Sequence, residues 1–583
     1  MIQNRLDSLR NKMKEAGIDV YFINTNDYHM SEYISEHFKT LRYFSGFSGS
    51  LGQLIVTLDD AHLFVDGRYH SQADQESGAY VKVEKLGKEG VLSADDFLIN
   101  NYKDKKIGFD GKCVSTSFVK KLKKHHLDIT SIDLYSDIYL NRPNLSKDML
   151  YELDVKYTGL SRFQKLDIVK RGLDGKCHII ANLESIAYLL NLRGNDVSYT
   201  PVFLSYLIFY QNDIYLFVDQ ERLSDIILEA LYKDGIIIKP YLEYYEFIKT
   251  IKNNIVLIDE NKINYEAYFN LDASNRIYHM RSVVEDMKTV KNKVEIENAK
   301  LAHIYDGVAM LRFIKWLKET NKEGLNEYDV KVKANRFRLE YKAFDLSFNT
   351  IVGYNENAAM MHYSPTKENN SALHNEGILL IDSGGQYFEG TTDITRTLAL
   401  GKVSDEIKMY FTLVLKSMFN LQRVKFIEGL SGDKLDILAR KDLWELGIDY
   451  RCGTGHGVGH VLSVHEMPPN IRYQRSSNGG ADVAFKPGNI FSDEPGVYFE
   501  GKFGIRCENL LLCKKDIHNE YGQFLSFEPI TMVPFDLDLI DKKYLDESTI
   551  KALNEYHQTV YDKLSPYLND EERVYLKQIT RSI

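Results

Sequence analysis

At 583 residues the chain is longer than one hydrophobic core organises, since single cores stop growing near about 250–300 residues, so two or three domains are expected. Its 73 basic and 83 acidic residues leave a net charge of -10 with no Lys/Arg stripe, which argues against a nucleic-acid partner. Five cysteines without a CxxC pair, a polar amino terminus and no run of about 18 apolar residues argue against a disulfide framework, a zinc knuckle, a signal peptide and a membrane span; the expected setting is the reducing cytoplasm.

The chain opens with a helix, because Ile2, Leu6, Leu9 and Met13 recur at steps of three and four, and Gly17 ends it. A buried strand is expected at residues 19–23 and further strands at 52–57 and 62–66, giving a compact α/β domain over 1–140. A second domain over 141–285 repeats the theme: Phe163, Leu166 and Val169 lead through Gly172 to a strand at 178–181. Residues 186–194 then read as helix or strand, and 202–210 as a bulky apolar run. Two helix-then-strand units suggest duplication. From about Val290 a longer helical pattern, with Leu301, Ile304, Val308 and Leu311 in step, opens a third domain over 286–583. The charged, helical stretch beyond Asp541 is expected on the surface.

The third domain holds the chemistry. Asp382 ends the apolar run 377–381, Ser383-Gly384-Gly385 reads as a tight turn, and Asp393 begins a second strand, 393–400; this is a hairpin with two facing carboxylates. Glu494, after a strand at 489–493, and Glu508, within 504–513, repeat the arrangement around Pro495 and Gly496. Carboxylates at the ends of apolar strands are costly to bury unpaired. Two divalent cations would balance the four of them, with His456 as a neutral fifth donor. Such a donor set suits manganese, and cobalt or zinc less decisively. Glycines on both sides of His456 would let its backbone pass close to a metal. Each residue also has an ordinary reading: Asp382 as a turn-former, Glu508 as a partner of Arg506, His456 as a loop residue. His362 and His465 are structural histidines or groups facing a substrate carbonyl. The residues alone leave both readings open.

Asp382-Ser-Gly-Gly-Gln-Tyr387 with Gly390–Thr397, the run 453–459 with Val464-His465-Glu466, Glu494-Pro-Gly496, and 503–509 closely resemble the signature of the Xaa-Pro aminopeptidases. So do residues 45–50, 66–69 and 190–194, and the likeness covers nearly the whole chain. The resemblance implies an α/β (α+β) chain with a pita-bread catalytic domain behind two smaller creatinase-like domains, in the long, cytosolic, commonly homodimeric branch. It implies that Asp382 binds one metal, His456 and Glu494 the other, and that Asp393 and Glu508 bridge them. A metal-bridging hydroxide would attack the carbonyl before proline, with Glu494 taking the proton. His362 and His465 match substrate-facing histidines and, with His456 and Arg68, the peptide-binding set. Arg506 and Tyr498 are expected behind the ligands. The partners implied are peptides with proline second. Cys452 stands where the family usually has histidine, so substrate preference or rate is expected to differ, and residues 473–481 look like a mobile loop. The nearest alternative is a proline dipeptidase of the same superfamily. A non-catalytic binding protein on this scaffold is disfavoured by the intact ligand set.

Overall fold

The structure, a computed structural model, describes residues 2–474 and 480–583. It divides into two compact units, residues 1–154 with 160–284, and residues 155–159 with 285–583. The middle of the 473–481 stretch lies outside the described residues.

In the first unit, α1 (Ile2–Ala16) buries Leu6, Leu9 and Met13. Gly17 stops it at φ 64°, a conformation only glycine adopts without strain. The first sheet comprises β1 (Val20–Asn24), β2 (Gln53–Thr57), β3 (Ala61–Val65), β4 (Lys82–Lys85), β5 (Lys106–Phe109) and β6 (Asp128–Ser131), in the order β4-β3-β2-β1-β5-β6. A second sheet comprises β7 (Cys177–Ile180), β8 (Tyr206–Tyr210), β9 (Asp213–Val218), β10 (Ile236–Pro240), β11 (Ile255–Ile258) and β12 (Arg276–His279), in the order β10-β9-β8-β7-β11-β12. In each sheet the first strand has two successive antiparallel neighbours and then a parallel edge strand on one side, and two parallel strands on the other. The shared topology is what duplication of one unit produces.

Two local readings need correction. In α2 (Arg162–Leu173), Phe163 is 60 % exposed, and Arg162, Lys165, Leu166 and Val169 form the buried face instead. Lys165 is tolerated there because its ammonium donates to the Tyr188 carbonyl and Asn191 Oδ1. The ambiguous stretch 186–194 is both elements: α3 (Leu183–Leu190), then a short strand Leu192–Arg193.

The second unit opens with α4 (Lys293–Glu319), capped by Asn292 in a reciprocal box with Glu295. Next come α5 (Glu327–Leu339) and an antiparallel sheet of β13 (Ile351–Tyr354), β14 (Ile378–Ser383) and β15 (Ile394–Ala399). After α6 (Asp405–Gln422) and α7 (Gly432–Trp444), a six-stranded sheet forms. Its strands are β16 (Lys425–Ile427), β17 (Gly455–Gly457), β18 (Glu466–Ile471), β19 (Ile490–Asp493), β22 (Asn509–Asn519) and β23 (Gly522–Pro529), in the order β16-β23-β22-β19-β17-β18. Between β19 and β22 the chain leaves this sheet for a hairpin of β20 (Gly496–Phe499) and β21 (Phe503–Arg506).

The C-terminal helices α8 (Glu547–Leu564) and α9 (Asp570–Ile579) are not a surface appendage. Leu553, Tyr556, Val560, Leu564 and Leu576 join Val308, Leu311, Phe411, Val414 and Met418 in one extended core. At about 1.5–3 kcal/mol for each such apolar side chain buried, that contact is a major part of its stability. The charges that suggested a surface element lie on the outer face of an amphipathic helix. No helix among the described residues is long and apolar enough to cross a membrane.

Candidate metal centre

The expected tight turn at Ser383-Gly384-Gly385 is a kink in a longer hairpin. Asp382 pairs with Thr395 and Ser383 with Ile394; the ladder then resumes with Gly385 opposite Thr392 and closes beyond Tyr387. A side chain at Gly384 would have its Cβ 1.9 Å from the Thr392 carbonyl oxygen, so glycine is required where the strands cross. The kink leaves Asp393 between two ladders. The carboxylates of the second pair also sit at breaks. Glu494 falls between β19 and β20, and Glu508 between β21 and β22, so residues 504–513 are not one strand.

His456 lies in β17 where the register against β18 shifts; a bulge of this kind re-aims a side chain. Its flanking glycines are required by the sheet. A Cβ at Gly455 would lie 1.8 Å from the Ser492 carbonyl oxygen, and one at Gly457 2.2 Å from that of Glu466. The ring lies 2.9 Å from the Gly457 carbonyl at Nδ1, which fixes the proton there. Nε2 is thereby turned toward Asp393 at 3.5 Å and Glu494 at 3.3 Å. His465 packs edge-on against it, ring centroids 4.3 Å apart.

Asp393, His456 and Glu508 offer ligand atoms that all lie within 4.8 Å of one another. Asp382 and Glu508 are buried, and Asp382 Oδ1 and Glu508 Oε1 have no hydrogen-bond partner among the described residues. Burial, reinforced by Asp393 and Glu494, pushes Asp382 up to about 7, although Arg506 pulls it down. Burial and the three neighbouring carboxylates push Glu508 well above the carboxylate range. Burial disfavours the charged form of His456, but Asp393 and Glu494 outweigh it and raise the imidazole to about 9. A buried site with this much crowded negative charge and open oxygen lone pairs is chemically suited to divalent cations.

The surroundings hold the carboxylates in place. Arg506 does not pair with Glu508. Its guanidinium reaches Asp382 at 2.5 Å, Tyr498 Oη at 2.6 Å and Thr395 Oγ1 at 3.0 Å. The break between β21 and β22 decides this, because Arg506 ends one strand and Glu508 lies beyond it. Thr395 Oγ1 donates to Glu508 Oε2 at 2.8 Å, and Ser492 Oγ donates to Glu494 Oε1 at 3.0 Å. Neither Thr395 nor Ser492 is among the residues expected from the sequence, yet each lies two positions from a candidate ligand, Asp393 and Glu494. The loop carrying His362 meets the same hairpin: Arg506 Nη2 donates to the Met361 carbonyl at 3.4 Å. Arg68 belongs to the first unit, where its guanidinium holds Asp66 at 2.7 and 3.0 Å. Cys452 is half-buried, and desolvation of its thiol raises it to about 11, with Glu494 adding to the effect.

Fold and site together define a metal-dependent hydrolase. Residues 297–515 match Metallopeptidase family M24 and 523–583 the C-terminal region of peptidase M24. Residues 5–140 and 141–295 each match the Creatinase/Prolidase N-terminal domain. The Probable Xaa-Pro aminopeptidase P of Laccaria bicolor is 35% identical over 591 residues, covering 98% of this chain and 91% of that one. The Xaa-Pro aminopeptidase 1 of Dictyostelium discoideum is 34% identical, covering 97% and 94%. The crystal structure of X-prolyl aminopeptidase from Caenorhabditis elegans, described as a cytosolic enzyme with a di-nuclear active site, superposes at a TM-score of 0.94 with 30% identity and full coverage of both chains. The chain belongs to the Xaa-Pro aminopeptidase family. It is a metal-dependent aminopeptidase, with creatinase-type N-terminal domains and a pita-bread catalytic domain.

Proposed function

We propose that the chain removes an N-terminal residue when proline follows, using two divalent cations, most naturally manganese, held by Asp382, Asp393, His456, Glu494 and Glu508. What carries this reading is the convergence of Asp393, His456 and Glu508, with Glu494 3.3 Å from the imidazole and Asp382 joined to the same hairpin by Arg506, around buried carboxylate oxygens that no donor among the described residues satisfies. Asp382, His456 and Glu494, with Asp393 and Glu508, would hold the two cations. Bound there, the cations supply Lewis acidity and a water acidic enough to ionise near neutral pH. Glu494, steadied at Oε1 by Ser492, would act as the proton acceptor of the reaction. His362 and His465 face the scissile carbonyl and stabilise the charge that develops on its oxygen. Arg506, braced by Tyr498, fixes Asp382. Arg68 is assigned to peptide contact on resemblance alone. Proline nitrogen carries no N–H in a peptide bond, so a peptidase that needs that donor fails where this one acts.

A three-domain division at 1–140, 141–285 and 286–583, a cytoplasmic location and a homodimer complete the proposal; the cytosolic description of the Caenorhabditis elegans enzyme supports the location. The test is hydrolysis of Arg-Pro-Pro and of an Xaa-Pro dipeptide with and without added manganese. Release of arginine from the tripeptide, lost with chelator and in Asp393→Ala, is the expected result. Cleavage of the dipeptide alone would instead identify a proline dipeptidase.

A further inference from the structure

Glu327 opens α5 and is wholly buried. A carboxylate taken out of water is costly unless its lone pairs are filled, and here they are filled from one segment of chain. Oε1 accepts the Tyr354 N–H at 2.7 Å and Asn357 Nδ2 at 3.0 Å. Oε2 accepts Asn357 Nδ2 at 3.1 Å, the Tyr363 hydroxyl at 2.8 Å and the Ser371 N–H at 2.8 Å. These donors span residues 354–371, the connection that carries His362. One turn further along α5, Lys331 donates to Ser364 Oγ at 2.7 Å, on the same connection.

The opposite side of this connection rests on the ligand-bearing hairpin. A Cβ at Gly504 would lie 1.9 Å from the Ala358 carbonyl oxygen, so β21 touches the loop backbone directly. Arg506 then joins the Met361 carbonyl to Asp382. His362 therefore sits on a segment fastened between the metal-centre hairpin and one carboxylate behind it.

We propose that Glu327 is a positioning residue for the reaction: it sets the height and orientation of His362 over the metal centre without touching substrate or metal. The proposal rests on the assignment of His362 to the substrate carbonyl made above. Glutamine at this position would keep the shape but turn an amide N–H₂ toward groups that are themselves donors.

The experiment compares Glu327→Gln, His362→Ala and the double variant as full-length enzyme, with Arg-Pro-Pro as substrate and manganese affinity measured by calorimetry. Misplacing a reacting group by about 1 Å costs up to about 100-fold, so Glu327→Gln should lose roughly 10- to 100-fold. The loss should fall in kcat, with KM and manganese affinity within about twofold of wild type. In the His362→Ala background the same substitution should add nothing further. Tyr363→Phe, which removes a single donor and is safer for folding, should show a smaller kcat loss that also vanishes in that background. Additive losses in the double variants, or a fall in manganese affinity that accounts for the loss, would overturn the proposal while leaving the role of His362 intact. An unaffected His362→Ala enzyme would remove that role and the proposal with it.

Discussion

Replacing Arg396 by lysine keeps a buried charge but removes the planar fork that the site uses. Arg396 is 1 % exposed, and its guanidinium lies 3.9 Å from the Phe535 ring. Nε donates to the Pro534 carbonyl at 3.2 Å, and Nη1 to the Thr395 carbonyl at 2.9 Å and to the Glu508 carbonyl. Nη2 reaches Val533 O at 2.6 Å, Asn509 Oδ1 at 2.9 Å and Tyr556 Oη at 3.1 Å. Thr395 O has a second donor in the Glu508 N–H, and the single Tyr556 hydroxyl proton can serve one of Val533 O and Asn509 Oδ1. The Pro534 and Glu508 carbonyls are held from different ends of the fork, and a single ammonium cannot serve both. At least one buried carbonyl is then left unsatisfied, at a cost of about 1–3 kcal/mol. Scanning calorimetry at fixed manganese should show the transition of the C-terminal unit lowered by several degrees, at roughly 2–4 °C per kcal/mol. Because Glu508 is displaced at its own backbone, manganese affinity should fall as well. An unchanged transition would refute the hydrogen-bond reasoning. A lowered transition with unchanged manganese affinity would refute the link from the C-terminal helices through Tyr556 and Arg396 to the metal centre.

Burial depresses His29 and His557 to about 3 and His178 to about 4. All three are neutral when folded, whereas the unfolded chain binds their protons below about pH 6.5. Their contribution is therefore fully present above that pH and is lost as pH falls toward the folded values, at up to about 1.4 kcal/mol per pH unit each. Thermal unfolding between about pH 7 and 5 should steepen accordingly, and His178→Asn should flatten the slope; an identical slope in that variant would contradict the assignment. Cys452→His replaces a weak, protonated thiol donor beside Glu494 with a strong one. The ratio of kcat/KM between Xaa-Pro peptides of different first residue should shift by roughly two- to tenfold, the worth of one hydrogen bond, and an unchanged ratio across several peptides would disprove a role in preference.

The residue types at the metal centre were legible in the sequence because carboxylates placed at the ends of apolar strands are locally anomalous. Asp382, Asp393, Glu494 and Glu508 stand out against the apolar runs beside them, and the glycines around His456 mark a close backbone approach. The first helix and the long helix α4 were legible for a similar reason, since periodicity and caps are properties of neighbouring residues. The partners were not legible. That Arg506 holds Asp382 rather than Glu508, that Arg396 joins Glu508 to a helix beginning near residue 547, and that Glu327 fastens the His362 segment depend on which elements pack together. Sequence spacing carries no record of contacts made across 36 to 160 residues. The kink at Gly384 and the burial of α8 were likewise decided by close packing of backbone and core, which a charge pattern on the outer face conceals. The sequence by itself singled out the groups proposed for the chemistry; the tertiary structure alone decided how they are held, because hydrogen-bond partners for buried charge are chosen by the packing that buries it.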